Sequence, residues 1–141
     1  MYSKILIALE NSRTDKAILD HVEPLALRLG SEVLLVHVAD GWAARQYEGL
    51  NLAESEEMRV DRHYLEAVRG RFDTAGIKTS TQLLWGEPAD EIVKVAEKSG
   101  SDLIAMSTHG HRFLGDLIYG STADKVRHTV DIPVLLLKAP R

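Results

Sequence analysis

The sequence predicts an α/β domain built on a doubly wound parallel sheet. Short apolar segments alternate with longer amphipathic segments along all 141 residues. The predicted strands are apolar on both faces, which is typical of strands covered by helices on each side of a sheet. Right-handed crossovers then place helices on both faces. The length suits one domain, residues 1–141, without an internal repeat or linker.

The chain opens with a strand and a helix. Lys4–Leu9 is the first apolar segment and predicts a buried strand. Apolar side chains then recur at helical spacing over about residues 12–29, and Gly30 follows as a C-terminal cap. Pro24 removes one hydrogen bond from this helix and favours a bend.

The middle of the chain predicts a strand, a helix and a more polar strand. Residues 33–38 form a second buried strand, and a long connection over residues 39–52 follows it. A polar helix is predicted over about residues 53–75. Residues 77–85 predict a strand whose many hydroxyl and amide side chains indicate a sheet edge.

The last third predicts two helices and two strands. Pro88 suits the first turn of a helix that ends at Gly100. Residues 103–106 form another buried strand, and the next helix is expected to start near Gly120. Residues 133–137 form the closing strand, with a proline at its entry where a missing donor is tolerated.

Composition excludes several kinds of protein. The chain has no cysteine, which excludes disulfides, thiolate zinc sites and cysteine nucleophiles. The net charge is -4 and no basic stripe is present, so nucleic acid is not expected as a partner. No apolar segment is long enough to span a bilayer. The first strand begins almost at Met1, so we expect no signal peptide and a cytoplasmic location.

Ligands of such sheets bind where strands end and the strand order reverses. The end of the 103–106 strand carries Ser107, Thr108, His109 and Gly110. Gly120-Ser121-Thr122 follows after nine intervening residues. A glycine turn beside the amide groups of a helix N-terminus favours a phosphate. From the glycines alone, Gly110 as a simple loop turn and Gly120 as a simple helix N-cap remain open alternatives.

Several motifs together resemble the universal stress protein family. Its nucleotide-binding members carry Gly-x2-Gly-x9-Gly followed by Ser or Thr, and this chain has Ser107-x2-Gly110-x9-Gly120-Ser121. The segments Lys-Ile-Leu-Ile-Ala at 4–8, Gly-Glu-Pro-Ala-Asp-Glu-Ile at 86–92 and Asp-Ile-Pro-Val-Leu-Leu-Leu at 131–137 are also similar to the family.

The resemblance implies a fold, a ligand and a partner. It implies five parallel strands in the order 3-2-1-4-5, and a homodimer through the last strand, from Pro133 to Lys138. It also implies ATP, or AMP or ADP, as ligand, with Mg²⁺ arriving only with the nucleotide. The residues that it assigns to the base, ribose and phosphates are Ala8, Leu9, Glu10, Val38, Met106, Ser107, Gly110, Gly120, Ser121 and Thr122.

Two positions depart from the family pattern. Ser107 replaces the first glycine, so its Cβ would crowd a ligand while its hydroxyl would be able to bond to one. Glu10 stands where the family usually has Asp, which lengthens the reach of the carboxylate by one methylene. His109 and Arg112 are additional candidates for phosphate contact. A solvated loop arginine is an equally good interpretation of Arg112.

Other patterns are weaker indications of function. His109-Gly110-His111 resembles a nucleotidyl transferase motif, but that motif belongs after the first strand and this one follows the fourth. No third partner for a metal is evident near these histidines. His37, in a buried strand, is interpreted as a strand-end residue rather than a catalytic base. We therefore predict no catalytic residue and no metal site.

Three functions remain open at this point. The first is an adenine-nucleotide-binding stress protein that acts through its dimer or its partners. The second is an interaction module of the same fold without nucleotide, which Ser107 favours. The third is a weak ATPase or nucleotidyl-transfer enzyme; since no general base is evident, any hydrolysis would be slow. The sequence specifies neither the stress signal nor the role of the loop over residues 41–52.

Overall fold

A computed structural model describes residues 1–39, 56–108 and 116–140, with backbone alone over 116–121. The strands are β1 (Lys4–Leu9), β2 (Glu32–Ala39), β3 (Thr79–Trp85), β4 (Leu103–Thr108) and β5 (Val134–Lys138). The helices of these ranges are α1 (Asp15–Leu29), α2 (Glu56–Thr74), α3 (Pro88–Ser99) and α4 (Asp116–Thr129).

The five strands form one parallel sheet in the order β3-β2-β1-β4-β5. This order confirms the expected topology. The strand order reverses between β1 and β4. The next strand in sequence after β1, β2, lies on one side of β1, and β4 lies on the other side. At that point Ala8 lies opposite Met106, while Leu9 lies opposite His37 of β2. The carboxyl ends of β1, β2 and β4 therefore lie at the same end of the sheet.

Both faces of the sheet are buried, as the apolar strands predicted. Ile7 and Leu35 are fully buried in a cluster that includes side chains of α1 and α2. Leu6 and Ile104 face the other way, into a cluster with side chains of α3 and α4. Because successive strand side chains point to opposite faces, each central strand contributes to both clusters.

Local sequence signals explain the end of α1 and the start of α3. α1 continues through Pro24 and ends at Gly30, whose φ of 67° is the left-handed conformation that glycine adopts readily. α3 begins with Pro88 in its first turn, and the Glu87 carboxylate accepts a hydrogen bond from the backbone N–H of Asp90 at 2.7 Å.

The predicted start of the last helix is wrong. α4 begins at Asp116, so Gly120 and Ser121 lie inside it rather than at its N-terminus. An acidic residue is favoured in a first turn, and an interior glycine costs a helix only about 1 kcal/mol, so Gly120 does not delay its start. The unpaired amide groups of α4 accordingly belong to residues 116–119.

β3 and β5 are the two edges of the sheet. The position of β3 confirms the prediction made from its polar composition, and its Ser80 and Gln82 side chains are exposed. β5 is more apolar, with half-buried side chains from Val134 to Leu137. Within the ranges described, no helix has the length and apolar character needed to cross a membrane.

Gly70 offers a test of helix energetics in α2. It is exposed in the helix interior, and a Cβ placed there would meet no atom within 4 Å. We expect Gly70→Ala to raise the free energy of unfolding by roughly 0.5–1 kcal/mol, because alanine loses less backbone entropy on folding. Urea denaturation of the two proteins measures the difference.

Gly76→Ala is the matched control. Gly76 has a φ of 95°, and its surroundings are equally open. Alanine there should lower the free energy of unfolding, by about 1 kcal/mol or more, since L-residues disfavour this backbone conformation. Stabilisation by both substitutions, or by neither, would contradict the conformational argument.

Candidate functional site

A buried carboxylate organises the loop that follows β1. Asp15, the first residue of α1, is 1% exposed. Its carboxylate accepts hydrogen bonds from the backbone N–H groups of Glu10 at 3.0 Å and Asn11 at 2.9 Å, with a longer one from Ser12 at 3.4 Å. The Tyr64 hydroxyl donates to it at 2.6 Å. These donors compensate the cost of burying a charge.

Tyr64 is held in its protonated form by the same contact. Burial raises the pKa of Tyr64 above its ordinary value, and the hydrogen bond to Asp15 and the charge of that carboxylate raise it further. Tyr64 therefore remains a hydrogen-bond donor well into the alkaline range. Through it, α2 is attached to the beginning of α1.

A second carboxylate of α2 contacts the same loop. Asn11 has a left-handed backbone, with a φ of 59°, which asparagine tolerates better than most residues. Its side-chain amide donates to Asp61 Oδ1 at 2.7 Å. Asp61 is 6% exposed, so this hydrogen bond lies at the edge of the core.

His37 connects the ends of β1 and β2 to the same carboxylate. Its Nδ1 lies 2.8 Å from the Leu9 carbonyl oxygen, and its Nε2 lies 3.3 Å from Asp61 Oδ2. Because a carbonyl oxygen only accepts, Nδ1 carries the hydrogen in the first contact. Asp61 Oδ2 also only accepts, so the Nε2 contact is an ion pair when Nε2 carries a hydrogen as well. These two contacts fit a strand-end role for His37.

A pocket of about 500 Å³ opens beside these residues. We call it the β1–β2 pocket. Its lining comes from the ends of β1 and β2 and from the first two turns of α2. The lining residues are Glu10, Asn11, His37, Val38, Ala39, Glu56, Glu57, Val60 and Asp61. Two residues that the resemblance assigns to a nucleotide, Glu10 and Val38, therefore line one pocket.

The other predicted residues on β1 and β4 lie near the carboxyl ends of these strands. Ala8 and Met106 are neighbours across the β1–β4 pairing, and Met106 is buried. The Leu9 side chain is buried in the core, and its carbonyl oxygen is engaged by His37. Leu9 therefore presents backbone rather than side chain at this edge of the sheet.

Ser107 and Glu10 are linked through Thr14. The Ser107 hydroxyl donates to the Thr14 carbonyl oxygen at 3.0 Å. The Thr14 hydroxyl in turn donates to Glu10 Oε2 at 2.8 Å. Ser107 stands in the first glycine position of the motif, and its hydroxyl forms a hydrogen bond within the chain. This bond joins the end of β4 to Thr14, the residue that precedes α1.

The remaining predicted residues lie on or beyond the boundary of the described ranges. His109, Gly110 and Arg112 fall outside them. Gly120 and Ser121 belong to the backbone of α4, and Thr122 is half-buried in the same helix. Within residues 1–39, 56–108 and 116–140, no three or more His, Asp or Glu side chains form a group suited to a metal ion.

Sequence reasoning missed Asp15, Asn11, Asp61 and Tyr64. One of them carries a recognisable signal. Asp61 occupies a position in the helical repeat formed by the buried residues Met58, Leu65, Val68 and Phe72. A carboxylate on an apolar helix face implies a buried polar partner, because a buried charge without one is costly.

Comparison with known proteins gives a consistent family. The sequence model of the Universal stress protein family matches residues 1–138. The universal stress protein MJ0531 of Methanocaldococcus jannaschii is 32% identical, covering 100% of this chain and 85% of the relative. The universal stress protein MJ0577 of the same organism is 30% identical, covering 98% and 96%.

Solved structures agree with this result. The structure of MJ0577 superposes with a TM-score of 0.84 at 30% identity, covering 100% of this chain and 99% of that one. The universal stress protein from Archaeoglobus fulgidus in complex with dAMP superposes with a TM-score of 0.72 at 21% identity, covering 97% and 98%. The latter likeness concerns the fold.

Tyr64→Phe tests the attachment of α2 to the loop. Loss of the hydroxyl removes one donor from a buried carboxylate, so we expect the free energy of unfolding at pH 7 to fall by about 1–3 kcal/mol. Denaturation by urea measures it. The folded pKa of Tyr64 is raised, so its contribution is fully present below the unfolded tyrosine pKa, about 10, and is lost as pH rises above it.

The difference between the two proteins should therefore shrink above about pH 10, the ordinary tyrosine pKa. Tyr2→Phe, on the amino side of β1, is a control for the general effect of removing a phenol. A difference between wild type and Tyr64→Phe that grew with alkaline pH would contradict the assignment of Tyr64 as a donor to Asp15.

Proposed function

This chain belongs to the universal stress protein family, and from that premise we propose that it binds an adenine nucleotide at the carboxyl edge of its sheet. The observation that carries the proposal is the β1–β2 pocket, which brings Glu10 and Val38 together. The pocket lies next to the reversal of strand order between β1 and β4, where ligands of doubly wound sheets bind.

The size and charge of the pocket suit the nucleoside rather than the phosphates. About 500 Å³ is within the usual range for small-ligand sites. Glu10, Glu56 and Glu57 line it together with Asp61, and the glutamate carboxylates accept hydrogen bonds from ribose hydroxyls or an amino group. The same charges repel phosphate. We therefore assign base and ribose to this pocket, with Ala8, Leu9 and Met106 near the carboxyl ends of β1 and β4.

The phosphates are assigned to the region after β4. The candidates for contact there are Ser107, His109, Gly110, Arg112, Gly120, Ser121 and Thr122. The unpaired amide groups and the dipole of the first turn of α4 favour an anion near residues 116–119. ATP, ADP and AMP all fit this assignment, and Mg²⁺ would arrive with the nucleotide. The dAMP complex of the Archaeoglobus fulgidus protein supports an adenine base in this fold.

A specific observation favours a second candidate. Ser107 occupies the first glycine position of the motif, and its hydroxyl already donates to the Thr14 carbonyl oxygen. A side chain fixed there narrows the space in which a ribose or phosphate would lie. The second candidate is therefore an interaction module of the same fold that works without nucleotide.

β5 supports a homodimer in either case. It is an edge strand whose side chains from Val134 to Leu137 are only half-buried. An apolar edge with unpaired backbone groups is suited to pairing with a second strand. We propose that two copies of the chain associate along this strand, from Pro133 to Lys138.

Calorimetric titration with ATP, ADP and AMP, each with and without Mg²⁺, tests the nucleotide proposal. We expect binding to the wild-type protein and an affinity at least tenfold weaker for Glu10→Gln, because a hydrogen bond to a charged group contributes about 1.5–3 kcal/mol. Glu66→Gln, an exposed carboxylate of α2, is the matched control and should bind like wild type.

The outcome separates the two candidates. The absence of both heat and retained nucleotide would leave the interaction module as the function of this fold. Binding that is unchanged in Glu10→Gln would contradict the assignment of the ribose and base to the β1–β2 pocket.

Light scattering over a dilution series tests the dimer. At micromolar concentration we expect a mass corresponding to two chains, because the apolar edge is covered in the pair. A single-chain mass at that concentration would contradict the proposed association through β5.

A further inference from the structure

We propose that Asp61 is a positioning residue for the nucleoside end of the site. It acts through Asn11 and His37, and it fixes the ends of β1 and β2 relative to each other. The inference rests on the proposed function, because the geometry that it maintains is that of Glu10 and Val38. The resemblance to the family assigns no role to Asp61.

The Asp61 carboxylate contacts residues at the ends of two strands. Oδ1 accepts from the Asn11 amide at 2.7 Å, two residues beyond the end of β1. Oδ2 lies 3.3 Å from His37 Nε2, near the end of β2. These contacts join residues 50 apart and 24 apart in sequence respectively (61 − 11 and 61 − 37). The carboxylate therefore links α2 to both walls of the β1–β2 pocket.

His37 connects the end of β2 to the backbone of β1. Its other nitrogen donates to the carbonyl oxygen of Leu9, which precedes Glu10. Leu9 and His37 are also paired in the β1–β2 register. The path from Asp61 through His37 thus returns to the backbone of β1. Movement of either strand end would break a hydrogen bond to the other.

The contact between Asp61 and His37 is largely buried. The side chains of Asp61 and His37 are only 8% and 12% exposed. Water replaces a lost partner poorly at such positions, so the contacts hold their geometry more firmly than a surface ion pair would. Asp61 also lies on the buried face of α2, between Met58 and Leu65, which restricts its own movement.

Two ligand-facing residues are adjacent in sequence to the partners of Asp61. Glu10 directly precedes Asn11, and Val38 directly follows His37. Glu10 and Val38 are therefore each the chain neighbour of a partner of Asp61. Both carboxylate oxygens of Asp61 already have partners within the chain. Its effect on a ligand is accordingly exerted through these neighbours.

Two substitutions at the same position separate positioning from direct charge contact. In Asp61→Asn, the amide oxygen still accepts from Asn11, and the amide nitrogen donates to Nε2 of the His37 tautomer that carries its hydrogen on Nδ1. Asp61→Ala loses both contacts. Asn11→Gly removes only the first, without backbone strain, because glycine adopts a φ of 59° readily.

Calorimetry with AMP measures the binding. We expect Asp61→Ala to bind at least tenfold more weakly than wild type, since loss of positioning contacts removes more than one hydrogen bond. Asp61→Asn should stay within about threefold of wild type, and Asn11→Gly should lie between the two. Asp73→Asn, an exposed carboxylate on the same helix, is the control and should match wild type.

A second measurement does not depend on nucleotide. Hydrogen exchange of the Glu10 and Asn11 amides should change in Asp61→Ala and stay near wild type in Asp61→Asn. If wild type binds no AMP, the proposed function fails while this measurement still decides the positioning role. If Asp61→Ala does not fold, Asn11→Gly provides the same comparison, with faster amide exchange expected.

Three results would overturn the proposal. One is a folded Asp61→Ala protein with wild-type affinity and wild-type amide exchange. Another is Asp61→Asn binding as weakly as Asp61→Ala, because that pattern belongs to a charge that touches the ligand. The third is Asn11→Gly with unchanged affinity and exchange.

Discussion

The structure of the site depends on the Asp15 carboxylate, a buried anion inside the first loop. It accepts from the amides of Glu10, Asn11 and Ser12 and from the Tyr64 hydroxyl. In many doubly wound proteins, the amides of this first strand–helix turn hold a ligand phosphate. Here the protein supplies its own anion. The phosphates of a nucleotide therefore need donors elsewhere, which agrees with their assignment to the region between β4 and α4.

α2 turns this local arrangement into a rigid wall. Tyr64 and Asp61 are three residues apart, so they lie on one face of the helix. Tyr64 donates to Asp15, and Asp61 accepts from Asn11. The loop is therefore attached to one helix through two separate contacts. Glu56, Glu57 and Val60 of the same helix line the pocket, so the helix that supports the loop also shapes the space beside it.

The sequence predicted the sheet far better than the site. Lys4–Leu9 has the predicted bounds because a strand that is apolar on both faces has few alternatives in a folded protein. The sequence misplaces the start of α4 because Gly120 suggests a helix boundary, although a glycine inside a helix is only mildly unfavourable. The contacts of Asp61 join residues far apart in sequence, and periodicity contains no information about such pairs.

Thr14 gives a physical reason why Ser107 need not exclude a nucleotide. The Ser107 hydroxyl points to the Thr14 carbonyl oxygen, so its position is fixed by the chain. The Thr14 hydroxyl donates to Glu10, the carboxylate assigned to the ribose. A serine at the glycine position therefore connects the end of β4 to the wall of the β1–β2 pocket. The Cβ of Ser107 takes up space beside the proposed ligand, while the link through Thr14 orders Glu10, and these two effects act on nucleotide binding in opposite directions.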